Sequence, residues 1–121
     1  MVNKTEDKRD IIFIEHVLES ITAIEQFLEK TTKEELCSSR LKQSAIVREV
    51  EIIGEAVKNV SNALKLKYPD VEWKNIVHTR DKLIHHYFGV DLNIVWNIVK
   101  KDLPVLKKQI EKIKKELSSQ S

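Results

Sequence analysis

Ile46, Val50, Ile53, Val57, Val60 and Leu64 follow one another in alternating steps of four and three. At about 100° per residue, only a helix brings such a series to one side; a strand would scatter it over both faces. The spacing predicts a long, central helix with a buried seam. Val99, Leu103, Leu106, Ile110, Ile113 and Leu117 repeat the same steps near the end of the chain. Two seams of this kind must each be covered by apolar surface from another element, which confines the chain to helix-on-helix packing.

The rest of the pattern agrees. Ile11, Ile14, Leu18, Ile21 and Leu28 mark a first helix, widened by Val17, Ile24 and Phe27. Thr32 with Glu35 three residues on is a capping-box pattern that opens either a short turn or the second helix itself. Tyr68-Pro69 ends the second helix, and Asp70 is placed to cap a third starting near Val71, with Trp73, Ile76, Val77, Leu83 and Ile84 on its buried side. Gly89 suits a C-cap, and Asp91 can cap a fourth helix in which Pro104 should kink the axis or mark a restart. Ala45, Ile52, Ala56 and Ala63 suggest a partial second stripe on the central helix. Gly54 there is explained by close approach of another helix, or is simply tolerated at a propensity cost of about 1 kcal/mol. The expectation is an all-α, four-helix bundle forming one domain over residues 1–121, frayed at 1–8 and 118–121. Surplus apolar surface on the second and fourth helices favours a dimer.

Only two Gly and two Pro interrupt the chain, in keeping with long helices. Cys37 has no second cysteine to pair with, and Met1 to Asp10 is charged where a secretion signal would be apolar, so a cytoplasmic protein is expected. Charges recur through every apolar stretch, which argues against a membrane partner. A formal charge of +2 gives little overall field, so any polyanion has to be held by a local patch.

The segment from His78 to Gly89 breaks the regular pattern and holds three of the four histidines. Histidine titrates near neutrality and arginine presents a planar, permanently charged fork to phosphate oxygens, a pairing suited to phosphodiester chemistry. On a regular helix His78, Lys82 and His85 share one face, while Arg80 and Tyr87 share another, roughly 140° away from His85. Arg80 and His85 can meet on one phosphate if the helix loosens before Gly89, or if they come from opposite subunits of a two-fold dimer, the arrangement preferred here. Asp81, one turn before His85, can accept a hydrogen bond from its ring.

Arg80-x4-His85-x-Tyr87 resembles the R-x4-H-x-Y signature of HEPN-domain ribonuclease toxins of the HepT family. Ile52-Ile53-Gly54-Glu55-Ala56, Trp73, Tyr87-Phe88-Gly89-Val90-Asp91 and Val95-Trp96 resemble that family's surrounding pattern, in order along nearly the whole chain. Asp81 departs from it, since relatives often carry Asn there. The resemblance implies a dimeric four-helix bundle that cuts RNA without a metal or other cofactor, as the toxin of a type VII toxin-antitoxin pair. Arg80 and His85 would then be catalytic, with Tyr87, Asp81, Lys82 and His78 positioning substrate. It further implies a minimal nucleotidyltransferase antitoxin as partner, which silences the toxin by attaching AMP to Tyr87.

Other readings stand beside these. His78, Asp81, His85 and His86 could hold zinc, but no cysteine is in reach and the resemblance argues for metal-free cleavage. His78 reads more readily as solvated, His86 as a neighbour of the site and His16 as structural. Glu49, Glu51 and Glu55 form a solvated face, with Glu55 also able to pair across a dimer. The lysines from Lys107 to Lys115 are interleaved with Glu111 and read as an exposed helix face. The alternative function is a catalytically inactive helical nucleotide-binding or scaffold subunit that docks a nucleotidyltransferase.

Overall fold

The structure, a computed structural model, describes residues 4–85 and 92–119, with backbone alone at 4–6 and 83–85. All the regular structure in these residues is helical: α1 (Lys4–Leu28), α2 (Lys33–Ser38), α3 (Arg40–Asn59), α4 (Asn62–Lys67), α5 (Trp73–His85), α6 (Leu92–Asn97) and α7 (Leu103–Ser119), with a π turn at Ile98–Asp102 joining the last two. The architecture is the expected helical bundle. α1, α3, α5 and the continuous α6–α7 segment are its four long members, and α2 and α4 are short additions.

Both seams lie in the core. Ile46, Val50, Ile53, Val57, Val60 and Leu64 are buried, as are Val99, Leu103, Leu106, Ile110, Ile113 and Leu117. α1 packs against α3 and α7, and α3 also carries α5. On α1 the innermost line runs through Ile14, Val17, Ile21 and Ile24, with Ile11, Leu18 and Phe27 at its margin. The second stripe anticipated on α3 is not a stripe: Ala56 alone is buried, Ile52 is half-buried, and Ala45 and Ala63 face solvent.

The central helix is not one helix. It stops at Asn59, Val60 and Ser61 turn extended, and Leu64 belongs to α4. The cause is a polar contact from a distant element. Asp10 of α1 is 2% exposed and accepts hydrogen bonds from the Ser61 backbone N–H at 2.8 Å and the Ser61 hydroxyl at 2.6 Å. That hydroxyl in turn accepts from the Leu64 N–H and caps α4. A buried carboxylate is tolerated only where donors converge on it, and a helix passing straight through Ser61 would have committed its N–H elsewhere.

At the other boundaries the side chains decide in similar fashion. Thr32 accepts from the Glu35 N–H and opens the short α2, while Ser39 accepts from the Lys42 N–H and opens α3. Asp70 does not cap α5, which begins at Trp73, two residues later than the sequence suggested; its carbonyl accepts instead from Gln109 of α7. Pro104 lies inside α7. It has no N–H to give the Lys100 carbonyl, and the turn before it widens so that the Leu103 N–H reaches back to Ile98. Val99 and Leu103 stay buried through this π turn. Gly89 and Asp91 lie outside the described residues.

α4 and α7 are tied together by Tyr68, whose hydroxyl donates to Glu116. Burial first, and the neighbouring Glu116 second, push the Tyr68 phenol up from 10.0 to about 12. Between those values the unfolded chain has lost a proton that the native chain keeps. Stability from this group is therefore full below about pH 10 and is lost as pH rises through about 12. Tyr68→Phe is expected to flatten that alkaline decline in urea melts; an unchanged slope would place its origin elsewhere.

Candidate active site

The site is built where α5 crosses α3. Gly54 is buried on α3, and a Cβ placed there would lie 2.4 Å from Arg80 Cβ and 2.5 Å from Arg80 Cγ. The missing side chain is what lets the stem of Arg80 lie against the α3 backbone, so Gly54 marks a close approach and is not merely tolerated.

From that seat the guanidinium meets two carboxylates. Nη1 donates to Asp81 Oδ1 at 2.9 Å and Nη2 to Glu55 Oε1 at 3.3 Å, while Nε is buried with no hydrogen-bond partner among the described residues. The bond to Asp81, opposed by partial burial and aided by Glu55, raises the guanidinium pKa, so Arg80 carries its charge at every working pH. Its side chain is 21% exposed, against 51% for Glu55 and 48% for Asp81. The arginine is thus fixed in position with its fork held at the surface, and its carboxylate partners remain hydrated.

Asp81 pairs with Arg80; the expectation that it accepts from the His85 ring falls on a side chain outside the described residues. Glu55, read from sequence as a solvated residue or a partner across a dimer, pairs with Arg80 of its own chain. Its position directly after Gly54 was the signal that could have revealed this, because a residue beside a close helix approach is within reach of whatever crosses there. His78 and Lys82 are exposed on α5. His16 is exposed as well, its ring edge-on to Phe13 with centroids 6.2 Å apart, and is not part of the core.

α5 remains α-helical through His85, so no loosening occurs between positions 80 and 85. On a regular helix those positions are about 140° apart around the axis and roughly 7.5 Å apart along it. The His85 side chain, His86 and Tyr87 lie outside the described set. Among the described residues no three His, Cys, Asp or Glu side chains are placed to share a metal ion, and no helix is long and apolar enough to cross a membrane.

The family model named Ribonuclease HepT-like matches residues 17–113, from α1 to α7 and across the whole of α5. The chain belongs to the HepT-like ribonuclease family. A HepT-like relative in Thermococcus cleftensis, named "Probable ribonuclease HepT", is 42% identical over 103 residues, covering 85% of this chain and 94% of its own. Another, in Methanocaldococcus jannaschii and named "Gamma-glutamylcyclotransferase and putative RNase", is 44% identical over 111 residues. Those residues are 91% of this chain and 50% of that protein, so the HepT-like chain spans half of its relative's length. No solved structure matches it.

Proposed function

We propose that this HepT-like chain is a metal-independent endoribonuclease whose site is completed by a second copy, Arg80 of one subunit and His85 of the other acting on the same phosphate. The observation that carries the reading is Arg80 itself. A cationic fork seated on a glycine and fixed by Glu55 and Asp81 is an expensive arrangement for a surface residue, and it is what a charge-stabilising group requires before substrate arrives. The unbroken helix from Arg80 to His85 turns the two positions apart within one chain, which favours the two-chain site. Exposed Leu41 and Ile94 supply apolar surface for self-association.

In this mechanism His85 takes the proton of the ribose 2′-hydroxyl or returns one to the leaving 5′-oxygen. The 2′-oxygen attacks phosphorus, the bond to the 5′-oxygen breaks, and a 2′,3′-cyclic phosphate and a 5′-hydroxyl are formed. Arg80 neutralises the charge that develops on the phosphorane, and Tyr87, Lys82 and His78 position the strand. DNA, lacking the 2′-hydroxyl, is spared. Incubation of the purified protein with RNA in excess chelator should yield fragments with cyclic phosphate ends. Intact RNA under those conditions would favour the alternative, a non-catalytic subunit that docks a nucleotidyltransferase.

Membership of this family supports a regulatory reading as well. The chain acts as a growth-arresting toxin, and a minimal nucleotidyltransferase restrains it by transferring AMP from ATP to the Tyr87 hydroxyl, with pyrophosphate leaving. A bulky anion near Arg80 would occupy the phosphate site and repel RNA. Intact-mass analysis after incubation with ATP and such an enzyme should show the added mass on the parent and not on Tyr87→Phe; an unmodified parent would reject this regulation.

A further inference from the structure

A cleft of about 400 Å³ opens between α3, α5 and the π turn leading into α7. Its floor is apolar, made by Val50, Ile53, Ile76, Leu103 and Leu106, and its rim carries the carboxylates of Asp70, Glu72 and Asp102 with no lysine or arginine among the lining residues. A cleft of that size suits a single small, flat ligand, at the low end of the range for such sites, and is too small for a partner helix.

The cleft ends about one helical turn short of Arg80 on that residue's face of α5, and Arg80 is not among its lining residues. On α5 its lining ends at Ile76 and Thr79, and Arg80 stands one turn beyond Ile76 on the same face; on α3, Ile53 is followed by the Gly54 that seats Arg80. A strand whose phosphate lies on Arg80 would therefore have the adjoining base beside this opening. The acidic rim repels phosphate, so the backbone is kept outside, and only an uncharged, flat-faced group can enter.

Hydrogen-bonding polarity narrows the choice of base. The Thr79 hydroxyl donates to the Asn75 carbonyl at 2.9 Å, Asn75 Nδ2 donates to Glu72 Oε2 at 3.3 Å, and Gln109 Nε2 donates to the Asp70 carbonyl at 3.2 Å. Asn75 and Gln109 each commit one amide N–H to the protein and keep one, and with the carboxylates of Asp70, Glu72 and Asp102 the lining holds more acceptors than free donors. Such a rim pairs with an exocyclic amino group, which offers it two N–H donors, better than with uracil, which offers one N–H between two carbonyl oxygens.

We propose that this cleft is a nucleobase subsite for the RNA strand cut at Arg80, selecting bases that carry an exocyclic amino group over uracil. The proposal rests on the ribonuclease reading, and two measurements separate them. In the first, methyl resonances of Ile53, Ile76, Leu103 and Leu106 are followed as adenosine, cytidine or uridine is added to the intact protein. Shifts with adenosine and cytidine, and little with uridine, are expected. Equal response to all three, or methyls that respond to protein concentration alone, would overturn the proposal, the latter assigning the cleft to a second copy.

In the second, cleavage of poly(A) and poly(C) is compared with that of poly(U). The parent should cut the amino-bearing polymers at least about tenfold faster, because a site built to pair a polar group discriminates against a base that lacks it. Glu72→Gln with Asp102→Asn, both exposed rim positions, should cut that ratio severalfold while cleavage continues. Cleavage without base preference in the parent would sink the subsite and leave the ribonuclease standing. Selective nucleoside binding with no cleavage of any RNA would do the reverse.

Discussion

Arg80→Ala is expected to lower RNA cleavage by about 10²- to 10³-fold, the usual loss when one preorganised donor to a developing oxyanion is removed. The fold should tolerate the change. Glu55 and Asp81 are each about half exposed and regain water when the guanidinium leaves, so loss of the ion pairs should cost no more than about 1 kcal/mol, with the lost packing of the stem on Gly54 added to it. Arg80→Lys should recover little activity, since an ammonium keeps the charge but cannot span Glu55, Asp81 and a phosphate with one planar fork. Cleavage rates set beside urea melts distinguish this from a stability effect. An Arg80→Ala protein that cuts RNA as fast as its parent would remove the arginine from the mechanism.

The second large effect is at Gly54, where two physical terms oppose each other. In an unencumbered helix Gly→Ala stabilises by about 1 kcal/mol. Here the added Cβ would sit 2.4 Å from Arg80 Cβ, an atom fixed to the α5 backbone, so relief requires the two helices to separate. Overpacking of this kind costs about 1–3 kcal/mol, and Gly54→Ala is therefore expected to be net destabilising in urea melts. Activity should fall further than stability, because the same displacement moves the guanidinium. A stabilised Gly54→Ala protein would mean that helix propensity, and not helix contact, governs this position.

The features legible in the sequence were those set by local periodicity. The seams at Ile46 to Leu64 and Val99 to Leu117 are buried as their spacing requires, and the capping chemistry of Thr32 is visible in the residues themselves. What escaped reading depended on partners distant in sequence. Ser61 is a residue type that can cap a helix, but that α3 stops short of it depends also on Asp10, which lies on another helix. The same holds at the site: Arg80 and His85 could be singled out by residue type and spacing, but that Glu55 and Asp81 both hold Arg80 follows only once α5 lies on Gly54. Pro104 announced a disturbance of the last helix without saying that it would take the form of a π turn.

The pairing of two subunits at one phosphate can be tested by mixing inactive partners. Arg80→Ala and His85→Ala proteins, each inert alone, are unfolded together, refolded and assayed on RNA. If each site takes its arginine from one copy and its histidine from the other, half of the dimers are mixed and each mixed dimer has one intact site, so about a quarter of the parental activity should return. A mixture as inert as its components, although mixed dimers are shown to have formed, would contradict a site shared between chains.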